Sequence, residues 1–395
     1  MKKIVALTLS IFVTFSVLPA YVVGIVAIFY SAVGISGELH KVAALLQPAD
    51  NPAYLYTGRI DFTDPKKPYL TWPGSSIKAQ FSGSELAITM DDELGLNYYN
   101  VIIDKQNRFP TVIGLKKGTH TYTVATGLPF GIHNVEIFKR TEGTEGGSHF
   151  LGLTLSKAIN NIEAGKLLTK PAPLTRKIEF YGDSITSGMG NEAIYNSHDK
   201  NGFEKNHYLS YAAITARMLN AEHHSISHSG IGVMYSWFDY IMPEYFNQLS
   251  AVGNNDTRWD FLSWKADVIV INLTQNDSWL VKSKKHVEVA PTESEIVEHY
   301  VDFVQTIRSK YPQALIVCAL GSMNATQQGS PWPGYIKLAI DHIKYQEPDA
   351  RISSVMFDYN GFKKHPRVAQ HHANATKLAQ LIATQMDWDM NVGAD

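Results

Sequence analysis

The chain has 395 residues, of which 45% are apolar and 18% charged, and a formal net charge of −2 at neutral pH. This length allows two domains with separate cores, and this composition excludes a disordered or fibrous protein. The near-zero net charge gives no support for nucleic acid or an anionic membrane surface as a partner. The single cysteine, Cys318, excludes an internal disulfide and is expected in a buried strand.

The N-terminal segment has the pattern of an export signal. Lys2 and Lys3 precede residues 4–37, which contain no charged side chain. A secretory signal peptide explains this pattern, and so does a retained membrane anchor, because about 20 apolar residues already span a bilayer. We therefore interpret residues 1–37 as a signal peptide or anchor and residues 38–52 as a linker. Either alternative places the remainder in the periplasm or outside the cell.

Residues 53–170 alternate short apolar runs with turn signals and contain no long amphipathic helix. This pattern predicts a β-sandwich domain. The predicted strands cover residues 54–62, 69–72, 76–81, 85–90, 98–104, 119–126, 134–141 and 150–156.

Residues 174–390, beyond a boundary at Pro171-Ala172-Pro173, alternate strands with helices. The predicted strands cover residues 178–181, 224–227, 266–273, 314–320 and 352–357, and the predicted helices cover residues 206–220, 293–311, 334–345 and 366–386. This alternation predicts an α/β domain with a doubly wound parallel sheet. In such a sheet, binding groups lie at the carboxyl ends of the strands.

Four polar segments follow predicted strands or precede the last helix. In chain order they are Gly182-Asp183-Ser184, Ser229-Gly230-Ile231-Gly232, Asn276-Asp277 and His365-Pro366. Ester hydrolysis needs a nucleophile, a base and donors for the oxyanion, and Ser184 and His365 can supply the first two. The backbone N–H groups of Ser184 and Gly230, with the side-chain amide of Asn276, can form the oxyanion hole. A glycine at position 230 lets a backbone amide approach the reacting centre closely.

The order and spacing of these segments resemble the SGNH, or GDSL-type, hydrolases, whose four blocks supply Ser, Gly, Asn and His. The upstream segments GRIDF, LTWPGSSIKAQFSGSELAI and NYYNVIID resemble the β-sandwich (jelly-roll) domain of the family 2 carbohydrate esterases. The segments SYAAITARMLNAE and SGIGVMYSWFDYIMPEYF resemble the catalytic domain of the same family. The resemblance implies an exported serine esterase that removes O-acetyl groups from plant-type polysaccharides such as xylan or glucomannan. It implies an acyl-enzyme on Ser184 and no metal or organic cofactor.

Two positions depart from the SGNH pattern. Thr274 stands where these hydrolases usually carry glycine in the third block. Phe362 and Lys363 stand where they commonly carry an aspartate before the histidine. The sequence therefore predicts a Ser184–His365 dyad with modest turnover, in which a backbone carbonyl orients the imidazole. Asp358 is the alternative orienting group.

Other residues near these segments have structural alternatives. We expect Asp183 to shape the nucleophile turn and Asp277 to act as a helix cap or turn residue. Three tryptophans follow strand-end loops and are candidates for sugar contacts, with core packing as the alternative: Trp237, Trp279 and Trp332. Three histidines lie close together in sequence but lack an ordered carboxylate or thiolate partner, so we expect no metal site: His223, His224 and His228.

Three other functions fit the sequence. One is a lipase or thioesterase of the same superfamily, which the attached sandwich domain disfavours. Another is a non-catalytic polysaccharide-binding protein, which the missing aspartate favours. The third is transfer of acetyl to a second sugar instead of water. In each polysaccharide alternative the partner is an acetylated polysaccharide or oligosaccharide, with membrane contact only through an N-terminal anchor.

Overall fold

A computed structural model describes residues 45–105, 109–157, 164–195, 197–252, 257–348 and 350–391 of the chain. The predicted signal or anchor, residues 1–37, lies outside these ranges. Among the described residues, none of the helices combines the length and the hydropathy that a membrane span requires.

The N-terminal domain is a sandwich of two antiparallel sheets. Its described strands are β1 (Leu46–Pro48), β2 (Leu55–Thr57), β3 (Ile60–Asp61), β4 (Tyr69–Leu70), β5 (Ser76–Ser82), β6 (Leu86–Asp92), β7 (Tyr98–Ile103), β8 (Thr111–Gly114), β9 (Gly118–Ala125), β10 (Ile132–Lys139), β11 (Ser148–Leu155) and β12 (Lys166–Leu167). One sheet has the order β3-β4-β11-β6-β9 with β1 on β11, and the other has the order β12-β5-β10-β7-β8 with β2 on β5.

The core of this domain lies between the two sheets. Leu86, Ile88 and Met90 alternate with half-exposed residues along β6 and are buried. They meet Ile77 and Phe81 of the facing β5 in one apolar cluster. Burying a side chain of this size stabilises a fold by about 1.5–3 kcal/mol, so the period-two pattern determines which face of each strand turns inward.

One part of the expected linker belongs to the sandwich. Leu46–Pro48 pairs antiparallel with residues 152–154 of β11, although residues 38–52 were expected to be a linker. The segment is short and half to fully exposed, so it carries no alternating apolar pattern from which a strand could be predicted.

The C-terminal domain is built on a five-stranded parallel sheet. Its strands are β13 (Arg176–Gly182), β14 (Ala221–Ser227), β15 (Val268–Asn272), β16 (Leu315–Leu320) and β17 (Ile352–Met356). Their order is β14-β13-β15-β16-β17, a doubly wound arrangement. The strand order reverses between β13 and β15, because the chain adds β14 on one side of β13 and the later strands on the other. β15 is buried on both faces, which explains its continuous apolar sequence.

Helices cover both faces of this sheet. The described α-helices are α1 (Ser184–Ser187), α2 (Tyr211–Met218), α3 (Met242–Tyr245), α4 (Gln275–Ser283), α5 (Glu293–Lys310), α6 (Trp332–Gln346) and α7 (Val368–Met386). Apolar residues of α5 and α6 pack on one face, and those of α2 and α7 pack on the other. The predicted α/β architecture preceded by a β-sandwich is confirmed.

The two domains share a buried interface. Trp72 of the sandwich is 1% exposed and joins the core of the α/β domain, where its Nε1 donates to Leu249 O at 2.8 Å. Arg59 of the sandwich forms a fully buried ion pair with Glu179 of β13 at 2.9 Å. Buried charges are stable only when they are paired, so this contact ties the two domains together.

Candidate active site

Ser184 lies at the carboxyl end of β13, in the first turn of α1. The preceding Asp183 caps this short helix, because the Ile185 N–H donates to its Oδ1 at 2.9 Å. Burial, reinforced by the nearby charge of Asp277, raises the pKa of Asp183 to about 7. Asp183 thus caps the turn on which the Ser184 hydroxyl lies.

His365 precedes α7 and reaches the serine. Its Nε2 lies 2.8 Å from Ser184 Oγ, although the two residues are 181 positions apart in sequence. This distance is the one required between a nucleophile and its general base.

Asp199, a residue that our sequence analysis missed, orients this histidine. Its Oδ2 accepts the Nδ1–H of His365 at 2.9 Å and the backbone N–H of His365 at 3.1 Å. Burial would raise the pKa of Asp199, but the two hydrogen bonds and the charge of His365 together outweigh it and hold the pKa well below its usual range. The network places the proton on Nδ1, which leaves the Nε2 lone pair facing Ser184.

The expectation of a dyad oriented by a backbone carbonyl is therefore wrong. Asp358, the alternative orienting group, has a side chain that is 92% exposed and pairs with Lys377 at 3.2 Å. Phe362 and Lys363 occupy the usual aspartate positions, and the carboxylate comes instead from the loop between α1 and α2. No motif surrounds Asp199 in the sequence, so its role is visible only in the fold.

The candidate oxyanion donors lie at the ends of the two neighbouring strands. Gly230 follows β14 and has φ +93°, a left-handed conformation that favours glycine. Asn276 lies in the first turn of α4, after β15. Its Nδ2 donates to Ile231 O at 2.8 Å and more weakly to Asp183 Oδ2 at 3.3 Å. The N–H in the longer bond, to Asp183 Oδ2, is the one that can donate instead to a substrate oxygen.

Asp277 supports the loop that carries Gly230. Its carboxylate accepts the backbone N–H groups of Val233, Met234 and Tyr235 at 2.7 to 3.0 Å. It lies inside α4 and does not cap it, contrary to one of our expectations. Burial raises the pKa of Asp277 in spite of these hydrogen bonds.

Thr274 occupies the N-cap position of α4 in a left-handed conformation, with φ +76°. A β-branched residue is strained there, and its buried Oγ1 has no hydrogen-bond partner among the described residues. The glycine that SGNH hydrolases usually carry at this position would relieve the strain.

The three candidate tryptophans have different environments. Trp237 is 39% exposed and donates from Nε1 to Asn276 Oδ1 at 3.1 Å. Trp279 is 40% exposed and lines a cavity of about 450 Å³ with Tyr359 and Phe362. Trp332 is 7% exposed and belongs to the core of the α/β domain, so packing is its main role.

The three clustered histidines contact separate partners. His223 Nε2 lies 3.1 Å from His207 Nε2, the ring of His224 stacks on Trp264, and His228 Nε2 lies 2.7 Å from Tyr240 OH. In the described part of the chain, no group of three or more His, Cys, Asp or Glu side chains could hold a metal ion.

Two family models match the chain. A model described as Carbohydrate esterase 2 N-terminal matches residues 56–164, and one described as GDSL-like Lipase/Acylhydrolase family matches residues 180–388.

Two curated relatives cover most of this chain. This chain is 34% identical over 352 residues to the cellulase/esterase CelE of Acetivibrio thermocellus. The alignment covers 86% of this chain and 40% of that protein. The chain thus spans less than half the length of that relative. It is 27% identical to an acetylxylan esterase / glucomannan deacetylase of Cellvibrio japonicus, over 86% of this chain and 91% of that protein.

Solved structures agree with these matches. A family two carbohydrate esterase from Clostridium thermocellum in complex with cellohexaose has a TM-score of 0.75 and 31% identity, covering 85% of this chain and 99% of that one. A family two carbohydrate esterase from Cellvibrio japonicus has a TM-score of 0.74 and 26% identity, covering 86% of this chain and 97% of that one. This chain belongs to carbohydrate esterase family 2 and combines the N-terminal domain of that family with a GDSL-like hydrolase domain.

Proposed function

We propose that this chain is a serine esterase that removes O-acetyl groups from polysaccharides of the xylan or glucomannan type. The observation that carries the proposal is the continuous contact from Ser184 Oγ through His365 to Asp199, with distances of 2.8 and 2.9 Å. The named activities of the relatives, acetylxylan esterase and glucomannan deacetylase, support the choice of substrate.

The acylation half of the reaction follows from this geometry. His365 Nε2 takes the hydroxyl proton as Ser184 Oγ attacks the acetyl carbonyl carbon, and Asp199 stabilises the imidazolium. The negative charge that develops on the carbonyl oxygen is held by the N–H groups of Ser184 and Gly230 and by Asn276 Nδ2. Collapse of this intermediate breaks the ester bond, and the departing sugar oxygen takes the proton from His365 Nε2.

Deacylation repeats these steps with water as the nucleophile. His365 Nε2 removes a proton from water as the water oxygen attacks the acetyl carbonyl on Ser184. The intermediate then collapses with cleavage of the bond to Ser184 Oγ, which takes the proton from His365 as acetate leaves. The cavity lined by Trp279, Tyr359 and Phe362 offers aromatic faces on which a sugar ring can stack.

The substrate class agrees with an extracytoplasmic location. Acetylated polysaccharide is encountered outside the cytoplasm, and Lys2 and Lys3 before the uncharged residues 4–37 support export as a secreted or anchored protein.

Hydrolysis of p-nitrophenyl acetate by the wild type and by Ser184→Ala tests the proposal. We expect Ser184→Ala to lose at least about 10⁴-fold in kcat. Acetate release from acetylated xylan and glucomannan, compared with long-chain acyl esters, identifies the substrate. Equal rates for the two proteins would leave only a binding function, and faster hydrolysis of long-chain esters would favour a lipase.

A further inference from the structure

Glu142 belongs to the sandwich domain but its carboxylate lies within the catalytic domain. The residue follows β10 and is 1% exposed. Its Oε2 accepts the backbone N–H of Ser229 at 2.7 Å and the hydroxyl of Ser187 at 3.0 Å. One carboxylate oxygen therefore joins the last residue of the nucleophile helix α1 to the loop that carries Gly230.

The position of this carboxylate is tightly determined. The neighbouring Gly143 packs so closely on the catalytic domain that a Cβ there would lie 2.8 Å from Ala251 O. Lys205 Nζ lies 3.6 Å from Glu142 Oε1 and also pairs with Glu145. Burial would raise the pKa of Glu142, but the charge of Lys205 and the hydrogen bonds from Ser229 together outweigh it and lower the pKa to about 2. Glu142 is therefore a charged, fixed acceptor at neutral pH.

The contact with Ser229 affects the next peptide group. Ser229 O accepts from His228 Nδ1 at 3.0 Å, and His228 Nε2 accepts from Tyr240 OH at 2.7 Å. In a trans peptide, the C=O of residue 229 and the N–H of residue 230 point in opposite directions. Glu142 accepts the N–H of Ser229, and the carbonyl of Ser229 accepts from His228. These two contacts fix the orientation of the peptide group between Ser229 and Gly230, and therefore the direction in which the Gly230 N–H points.

We propose that Glu142 is a positioning residue of the esterase reaction, through which the sandwich domain aims the Gly230 N–H at the oxyanion and fixes the nucleophile helix. This inference rests on the proposed function, because it concerns the role of Gly230 as an oxyanion donor. The N-terminal domain is then part of the catalytic machinery, and not only a neighbouring module.

Steady-state kinetics of three substitutions test this role. Loss of an oxyanion donor costs about 10²–10³ in kcat, so for a misdirected donor we expect Glu142→Ala to lose about 10- to 100-fold in kcat with KM for p-nitrophenyl acetate nearly unchanged. Glu142→Gln retains an oxygen that can accept from Ser229 and Ser187, so it should recover most of this loss. Glu142→Asp retains the charge beside Lys205, but its side chain is shorter by one methylene group and its carboxylate no longer reaches Ser229 and Ser187. Its kcat should therefore fall as in Glu142→Ala.

The matched control is Glu145→Ala, which also loses a carboxylate partner of Lys205 but leaves the loop contact intact, and its kcat should equal that of the wild type. If Glu142→Ala does not fold, Glu142→Asp and Glu142→Gln give the same comparison. A wild-type kcat in Glu142→Asp, or equal losses in Glu142→Gln and Glu142→Asp, would overturn the inference. Absence of Ser184-dependent hydrolysis in the wild type would instead refute the proposed function itself.

Discussion

Asp199 gives the imidazole of His365 one defined tautomer and a negative partner. The ring Nδ1–H and the backbone N–H of His365 both donate to the same carboxylate oxygen, so the histidine is held at two points. The depressed pKa of Asp199 keeps this carboxylate charged at neutral pH. A charged partner stabilises the imidazolium of the transition state better than a carbonyl does, so turnover should exceed that of a dyad.

We predict that Asp199→Asn lowers kcat for p-nitrophenyl acetate by between about 10² and 10⁴, because the amide no longer enforces the productive tautomer. Asp358→Asn is the control and should retain wild-type kcat, since the Asp358 side chain is exposed and pairs with Lys377. A loss of less than tenfold in Asp199→Asn would mean that another group orients His365.

Thr274 is a strained residue in an otherwise well-packed site. We predict that Thr274→Gly raises the free energy of unfolding by about 1 kcal/mol, because relief of the left-handed conformation outweighs the added backbone entropy of glycine in the unfolded chain. Urea denaturation measures this as a higher midpoint with an unchanged m-value. An equal or lower midpoint would show that Thr274 is not strained.

The helix α4 and the loop after β14 form one unit through Asp277. Removing a carboxylate that accepts one buried and two partly buried N–H groups leaves all three without a partner. We predict that Asp277→Ala lowers the free energy of unfolding by about 3 kcal/mol. Asp260→Ala is the matched control, because the Asp260 carboxylate accepts one exposed backbone N–H, from Leu262 at 2.9 Å. Equal effects of the two substitutions in urea denaturation would contradict this account of the loop.

Among the secondary-structure elements, the long ones with a strong apolar pattern are predicted well from the sequence. The strand predicted at 266–273 is Val268–Asn272, and the helix predicted at 293–311 is Glu293–Lys310. The short strands β1, β8 and β12 were missed, because two to four mostly exposed residues carry no measurable period. The helix α4 was missed because its first residues are polar and serve the site.

The residues of the candidate site likewise fall into those that the sequence predicts and those that it does not. Ser184, Gly230 and Asn276 follow directly from the rule that parallel strands present groups at their carboxyl ends. Asp199 and Glu142 come from loops in which nothing local marks them, and only the packing of distant segments brings them to His365 and Ser229.

Across the whole molecule, the buried ion pair between Arg59 and Glu179 joins the two domains. Tyr181 and Tyr311 also donate to the Glu179 carboxylate, and His224 lies 3.7 Å from it. Burial would raise the pKa of Glu179, but the charge of Arg59 and the hydrogen bonds that the carboxylate accepts together outweigh it and lower the pKa to about 2. Because the folded pKa lies below the unfolded value of about 4.3, this stabilisation is present above pH ~4.3 and is lost as the pH falls towards 2.

We predict that Arg59→Met lowers the free energy of unfolding by about 3–5 kcal/mol at pH 7, because Glu179 stays buried without its partner. In this variant burial is no longer opposed by Arg59, so Glu179 takes up a proton more readily and the deficit should shrink at pH 4. Lys78→Met, which breaks the half-exposed pair with Glu136, is the control and should cost less than about 1 kcal/mol. A deficit of equal size at both pH values would argue against the charge of Glu179 as its cause.

Covalent trapping tests the central claim most directly. Wild-type protein and His365→Ala are treated with diethyl p-nitrophenyl phosphate, which phosphorylates an activated serine, and the modified peptide is located by mass spectrometry. We predict one diethylphosphoryl group on Ser184 of the wild type, and labelling of His365→Ala that is slower by at least about 10². A wild-type protein that stays unmodified, or that carries the label on a residue other than Ser184, would contradict the account.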